Sequence, residues 1–165
     1  MRVVAYVGLG ANLGDGRGNL LRAWQRLGVA PGVFTRRLSR PWRSEPMGGA
    51  SEQWFTNAVG ELETELAAEE LLALLLQIET ELGRDRPRQG FDRPIDLDLL
   101  LYGDRLIKLA HLVVPHPELH RRRFVLEPLR ELAPELVVPG RGQSVAQLAV
   151  ALAAAGEQQL RPDSW

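Results

Sequence analysis

The 165-residue chain contains no cysteine. Disulfides, thiolate metal sites and thiol nucleophiles are therefore excluded, and a reducing compartment fits the absence. Lysine is almost missing too: Lys108 is the only one, so every other member of the 20 basic residues is an arginine. Genome composition or heat adaptation accounts for such a bias globally. Arginine is also the planar, permanently charged fork that suits phosphate, so its placement decides its meaning. No charge excess exists, since 20 basic and 21 acidic residues leave a net charge of −1. A protein that coats nucleic acid or an anionic membrane surface would be more basic. Long apolar runs are lacking as well. Leu148–Ala155 is among the longest, far short of the roughly 20 residues a bilayer requires. The apolar start Met1–Leu9 is broken by Gly8, Gly10 and Gly14 with no cleavage region, so no signal peptide is expected. The expectation is a soluble cytoplasmic protein with no nucleic-acid or membrane partner.

With 45% hydrophobic and 25% charged residues, the composition is that of a globular protein, and the length that of a single domain over 1–165. Val3–Leu9 reads as a buried strand, followed by a glycine-rich turn from Gly8 to Asp15 that leads strand into helix. Asn19–Leu27 carries an amphipathic stripe closed by Gly28. Val33–Arg43, interrupted by Pro41, is an irregular or edge strand. Trp54–Leu66 alternates as a strand with Phe55, Asn57, Val59 and Glu61 on one side. Ala68–Leu82 is the clearest helix. Ile95–Tyr102 is a strand, Leu106–Val114 includes a short hairpin arm, and helices follow around Val125–Leu132 and Val145–Ala155, the last N-capped by Ser144. The tail, about 156–165, reads as irregular. The order β-α-β-β-α-β followed by helices predicts an α+β fold of the ferredoxin-like split type, an antiparallel sheet with both crossover helices on one face.

Four constellations carry chemistry. In Ile95-Asp96-Leu97-Asp98-Leu99-Leu100-Leu101-Tyr102, strand alternation puts Ile95, Leu97, Leu99 and Leu101 on one face and Asp96 and Asp98 on the other. Carboxylates two positions apart on a strand are about 6.5–7 Å apart at their Cα atoms. At an effective dielectric near 20 their repulsion is roughly 2–3 kcal/mol. An apolar strand carries such a pair only if a cation offsets it, and Mg²⁺ with waters and substrate phosphates fits better than arginine. Directly upstream, Gly83–Arg93 holds Arg84, Arg86, Arg88 and Arg93 with no apolar periodicity. Carboxylates beside an arginine-rich loop are the parts needed to hold a polyphosphate. In Val114–Phe124, His116 sits between Pro115 and Pro117 and can donate to a phosphate oxygen. His116 and His120 lie four apart, but Pro117 argues against a zinc pair on one helix. Arg121, Arg122 and Arg123 are consecutive and cannot all point one way. Phe55 and Asn57, on one strand face, combine a stacking ring with an amide that both donates and accepts, which suits a heterocycle. Gly8-x-Gly10-x-x-x-Gly14 is neither a dinucleotide fingerprint nor a P-loop.

Taken in order, Gly8-x-Gly10-x-Asn12-Leu13-Gly14, Phe55-x-Asn57-Ala58, Ile78-Glu79 with Gly83-Arg84-x-Arg86, Arg93-x-x-Asp96-x-Asp98-Leu99, and Val114-Pro115-His116-Pro117 with Arg122-x-Phe124 resemble the 6-hydroxymethyl-7,8-dihydropterin pyrophosphokinase family of folate biosynthesis. The resemblance implies transfer of the terminal diphosphate of ATP to the pterin's hydroxymethyl oxygen, leaving AMP. It implies that Asp96 and Asp98 hold two Mg²⁺ ions and that Arg84, Arg86, Arg93, His116 and Arg122 contact ATP, with Glu79 in the same set and Arg84 and Arg93 catalytic alongside the aspartates. It implies a pterin pocket of Ser44, Met47, Phe55, Asn57 and Phe124, loops around 45–53 and 84–93 that close over the substrates, and a monomer. The family commonly has Arg-Trp-Gly-Pro-Arg before the aspartates. Here that stretch is Gln89-Gly90-Phe91-Asp92-Arg93, with Arg88 and Phe91 the candidates for the missing pair. Two other readings compete: an Asp-x-Asp nucleotidyltransferase, which would want a glycine-rich turn closely upstream of the pair, and a ferredoxin-like nucleic-acid-binding module, which would want aromatics on the open sheet face and usually a basic surface.

Overall fold

The structure is a computed structural model and describes residues 1–46, 53–84, 92–156 and 158–165. Its elements run β1 (Val3–Ala11), α1 (Gly16–Gly28), β2 (Val33–Leu38), β3 (Trp42–Ser44), β4 (Phe55–Thr64), α2 (Ala68–Glu81), β5 (Asp96–Tyr102), β6 (Ile107–Lys108), β7 (Val113–Val114), a 3₁₀ turn at Leu119–Arg121, α3 (Arg123–Leu132), α4 (Val145–Ala155) and β8 (Leu160–Pro162). β1 lies between β4 and β5, antiparallel to both. β2 and β3 both pair with β4, β2 along its second half and β3 along its first. Between them, Pro41 lacks the N–H a continuous strand would need. The order β5-β1-β4-β3-β8, with β2 beside β4, contains the expected βαββαβ core, and the fold is α+β. The expected arm is the hairpin β6–β7.

Apolar periodicity accounts for the two layers that cover the sheet. On one face Ala5, Val7, Leu9 and Leu62 pack against Leu20 and Leu27 of α1 and Leu71, Leu75 and Ile78 of α2, all buried. On the other, Tyr6, Val59, Leu100 and Leu101 pack against Val125, Leu126 and Leu129 of α3 and Val145 and Leu148 of α4. Local signals set the helix ends. Asp15 caps α1 by accepting from the Gly18 amide, which starts the helix three residues before its apolar stripe. Ser144 and Gln147 form a reciprocal capping box on α4. Gly60 lies under the Trp24 ring of α1, where a Cβ would come within 2.2 Å of the ring.

Two expectations are corrected. The tail is not irregular throughout. β8 pairs with β3 in the register Ser44↔Leu160, and the Trp165 indole donates to the Ser39 carbonyl at 3.1 Å. Leu101 does not share a face with Ile95, Leu97 and Leu99. The β1–β5 register shifts between Tyr6, opposite Leu101, and Val7, opposite Leu99. Leu100 is the extra residue of a bulge, and a bulge reverses the alternation beyond it. Both Leu100 and Leu101 therefore enter the layer under α3 and α4.

Candidate active site

Four strands build the floor in register. Asp96 of β5, Gly10 of β1, Asn57 of β4 and Trp42 of β3 form one cross-strand row. Asp98, Gly8 and Val59 form the next. The expected role of Gly8 and Gly10 as a turn is corrected, because both lie inside β1 and, of the three motif glycines, Gly14 alone has a left-handed φ, +70°. The two glycines lower the floor instead. A Cβ on Gly10 would meet Asn57 Oδ1 at 3.1 Å. Above them, between the sheet and the start of α3, is a cleft of about 400 Å³.

Asp96 and Asp98 stand at one end of the cleft on the same strand face. Arg84 Nη1 donates to Asp96 Oδ1 at 2.5 Å and to Glu79 Oε2 at 2.9 Å. Glu79, 2% exposed, also accepts the Leu97 amide at 2.7 Å, tying α2 to β5 directly behind the aspartates. Arg122 Nη1 lies 3.8 Å from Asp98 Oδ2, and Arg93 Nε 4.0 Å from Asp96 Oδ2. The arginines do not fully offset the acids. Burial, then the Asp96 carboxylate and Glu79, push the Asp98 carboxyl up to about 7, against the pull of Arg122 and Arg93. Among the described residues no group of three or more His, Asp or Glu side chains converges as a metal cage. Two cleft-lining carboxylates whose repulsion the arginines relieve only in part are instead a donor set for a hard divalent cation that keeps waters and substrate oxygens in its shell. Mg²⁺ fits these residues.

His116 lies beside the acid pair. Its Nδ1 accepts the Glu118 amide at 3.1 Å, which leaves the ring proton of the neutral imidazole on Nε2. Burial, reinforced by Arg122, lowers its pKa and keeps it neutral. His120 is directed elsewhere, against Arg141 at 3.2 Å, so the two histidines form no metal pair. The three arginines diverge as their adjacency requires. Arg121 reaches Glu118, Arg122 reaches Asp98, and Arg123 donates to the Gln158 carbonyl at 2.9 Å.

The other end of the cleft is aromatic and amide-lined. Asn57, 4% exposed, donates through Nδ2 to Ser44 Oγ at 2.8 Å, so Ser44 orients the amide and its Oδ1 lies over Gly10. Phe55 and Phe124 also line the cleft. An arginine stands over each ring, Arg93 5.3 Å from the Phe55 centroid and Arg122 5.6 Å from that of Phe124. One cleft thus unites Ser44, Phe55, Asn57, Arg93, Asp96, Asp98, His116, Arg122 and Phe124. Arg84 and Glu79 sit behind Asp96 and are not among the lining residues. Met47, Arg86, Arg88 and Phe91 lie outside the described residues.

The structure adds residues to which sequence reasoning assigned no role. Asn12 clasps the segment before β5: its Oδ1 accepts the Arg93 amide at 2.8 Å, its Nδ2 donates to Asp92 at 2.7 Å, and its own amide donates to the Arg93 carbonyl at 3.0 Å. An asparagine between an apolar run and the Gly14 turn was the available signal. Glu45 and Gln158 complete the aromatic end. For Gln158 the sequence carried no signal, because its position depends on the pairing of β8.

Comparison with known proteins bears on this geometry. A model of the family described as 7,8-dihydro-6-hydroxymethylpterin-pyrophosphokinase (HPPK) matches residues 6–134. The chain is similar to the 2-amino-4-hydroxy-6-hydroxymethyldihydropteridine pyrophosphokinase of Methylorubrum extorquens, 41% identical over 136 residues, covering 82% of this chain and 86% of that one. It is 38% identical over 155 residues to the protein of the same name from Pseudomonas aeruginosa, covering 94% and 95%. Among solved structures, an HPPK-DHPS in complex with substrates superposes with a TM-score of 0.74 at 11% identity, a likeness of fold. The match covers 93% of this chain and 44% of that one, so the chain spans less than half of that protein.

Proposed function

The chain belongs to the 7,8-dihydro-6-hydroxymethylpterin-pyrophosphokinase family, and on that premise we propose how its cleft performs the reaction. The protein is a transferase of folate biosynthesis that moves the diphosphate of ATP to the hydroxymethyl group of 6-hydroxymethyl-7,8-dihydropterin. The observation that carries the assignment of roles is the polarity of a single cleft: paired carboxylates with arginines and a neutral histidine at one end, two rings and an oriented amide at the other.

Asp96 and Asp98 would hold magnesium, two ions in our reading, which supplies neutralisation of polyphosphate charge when bound. Arg93 and Arg122 reach the phosphate end with fixed positive charge, and His116 offers Nε2–H to a phosphate oxygen without adding charge. Arg84 carries charge from the Glu79 anchor toward the same end, and Glu79 acts by positioning it. Arg86 belongs to the same set. Phe55 and Phe124 hold the pterin between their faces, Asn57 reads its edge, and Ser44 fixes Asn57; the family resemblance adds Met47, which lies outside the described residues, to this set. The hydroxymethyl oxygen forms its bond to the β-phosphorus as the bond from that phosphorus to the α,β-bridging oxygen breaks. AMP leaves with the bridging oxygen, and the hydroxyl proton is released. The protein's contribution is alignment and charge compensation, with no covalent intermediate.

Competing readings fare less well. A nucleotidyltransferase would place a glycine turn near the acid pair, whereas Gly8 and Gly10 are strand residues beneath it. A nucleic-acid module would join its sheet-face aromatics to a basic surface, whereas here the overall charge is balanced and the aromatics share their cleft with paired aspartates. No helix among the described residues is long and apolar enough to cross a membrane. The balanced charge favours small-molecule substrates over nucleic acid. One sheet ties residue 3 to residue 162, which supports a single domain. The test is product analysis with ATP, Mg²⁺ and the hydroxymethyl pterin. AMP and pterin diphosphate in equal amounts are expected, and ADP or free pyrophosphate as the product would overturn the reading.

A further inference from the structure

The segment after α4 crosses the edge of the sheet and is fastened at many points. The Asp163 amide donates to the Pro41 carbonyl at 2.9 Å, Arg161 stands 5.3 Å from the Trp54 ring centroid, and Arg17 Nη1 donates to the Ser164 carbonyl at 3.0 Å. Just before β8 the chain turns toward the cleft, and Gln158 joins its lining. The backbone of Gln158 is pinned from the opposite wall, since Arg123, at the start of α3, donates to its carbonyl. Its side chain is oriented by chemistry. Nε2 donates to the Glu45 carbonyl at 3.0 Å, and a carbonyl accepts only from the nitrogen end of an amide, so Oε1 is directed away from Glu45. Among the described residues no hydrogen bond engages that Oε1. Glu45 is held a second time, with its carboxylate accepting the Gln159 amide at 2.7 Å.

We propose that Gln158 is a specificity-determining positioning residue for the pterin, acting from a strand outside the βαββαβ core. It fastens Glu45, and with it the neighbouring Ser44–Asn57 pair, as the end wall of the heterocycle pocket. It also turns Oε1 inward as an acceptor for an N–H group on the ring. The placement is selective. Gln158 adjoins β3 while the aspartates are on β5, three strand spacings across the sheet, or about 14 Å at the usual inter-strand distance. A group there touches the heterocycle end and not the phosphates. The inference rests on the reading of the aromatic end as the pterin site and deepens it by adding one contact to that subsite.

The full chain carrying Gln158→Leu, which keeps bulk and removes both polar atoms, is compared with wild type and with Gln158→Ala. Pterin and non-hydrolysable ATP analogue affinities are measured separately by fluorescence titration, with kcat and KM for each substrate and a thermal unfolding curve. In both variants pterin affinity falls roughly fivefold or more, the size of one neutral hydrogen bond. Nucleotide affinity stays within twofold, and the loss appears in the pterin KM rather than in kcat. Pterin affinity that falls less than this, or an equal loss toward nucleotide, overturns the proposal while leaving the function intact. If wild type itself binds no pterin, the function reading falls and this inference with it. A variant with a lowered unfolding temperature still tests the proposal, because general loosening does not separate one substrate from the other.

Discussion

Asp98→Asn separates folding from chemistry at the acid pair. In the metal-free protein, burial and Asp96 hold the Asp98 carboxyl up at about 7, against 3.8 ordinarily. Between those two values the native state keeps a proton that the unfolded chain has already released. Stability therefore falls as pH rises from about 4 to about 7 and is flat above. A rise of that size corresponds to roughly 4 kcal/mol of folding free energy at pH 8. The side chain is 31% exposed, and solvent screening reduces the figure to about 2–3 kcal/mol. Asparagine keeps the shape and removes the charge. Measured by urea unfolding in EDTA, Asp98→Asn should exceed wild type by about 2–3 kcal/mol at pH 8, and the gap should close below pH 4. Adding Mg²⁺ should stabilise wild type by RT ln(1 + [Mg²⁺]/Kd), which is about 2.7 kcal/mol at a hundredfold excess over Kd, and should leave the variant nearly unmoved. A variant less stable than wild type at pH 8, or a gap that does not change with pH, would refute the claim that the acids repel each other in the empty cleft.

Asp96→Ala and Asp98→Ala should each lower turnover by about 10² or more while circular dichroism stays native. Unchanged Mg²⁺-dependent AMP release would contradict the role given to them. Glu79→Ala removes the buried acceptor of Arg84 and of the Leu97 amide, and should cost about 3–5 kcal/mol in urea unfolding; a loss under 1 kcal/mol would mean the Arg84–Asp96 contact holds without it. Gly10→Ala pushes a methyl against Asn57 Oδ1. It should weaken pterin binding about tenfold and leave nucleotide affinity intact, as read by separate titrations, whereas equal effects on both would place Gly10 elsewhere in the mechanism.

The core was legible because period-2 and period-3.6 patterns are local. The α2 stripe, the Ser144 cap and the alternation of Phe55, Asn57, Val59 and Glu61 each depend on neighbours in sequence, and each matches its element. The Asp96–Asp98 pair was legible for the same reason. What was missed depends on pairing between distant segments. The bulge at Leu100 that redirects Leu101 is a property of the β1–β5 register. β8 exists only because β3 offers an edge, and a three-residue strand has no periodicity to read. Gly8 and Gly10 read as a turn because glycine usually marks one. Their task here is absence of bulk beneath the cleft, which appears only once Asn57 and the aspartates are placed beside them. The spacing that placed Arg84 beside the acids was informative, but its engagement by Glu79 required the packing of α2 on β5.

The central claim is that Asp96 and Asp98 together hold divalent metal for the bound nucleotide. Electron paramagnetic resonance titration of Mn²⁺ against the protein saturated with a non-hydrolysable ATP analogue measures this directly. The wild-type complex should bind Mn²⁺ tightly, and the Asp96→Ala/Asp98→Ala double variant should bind no more than the free nucleotide does. Equal Mn²⁺ binding by the two proteins would contradict the account.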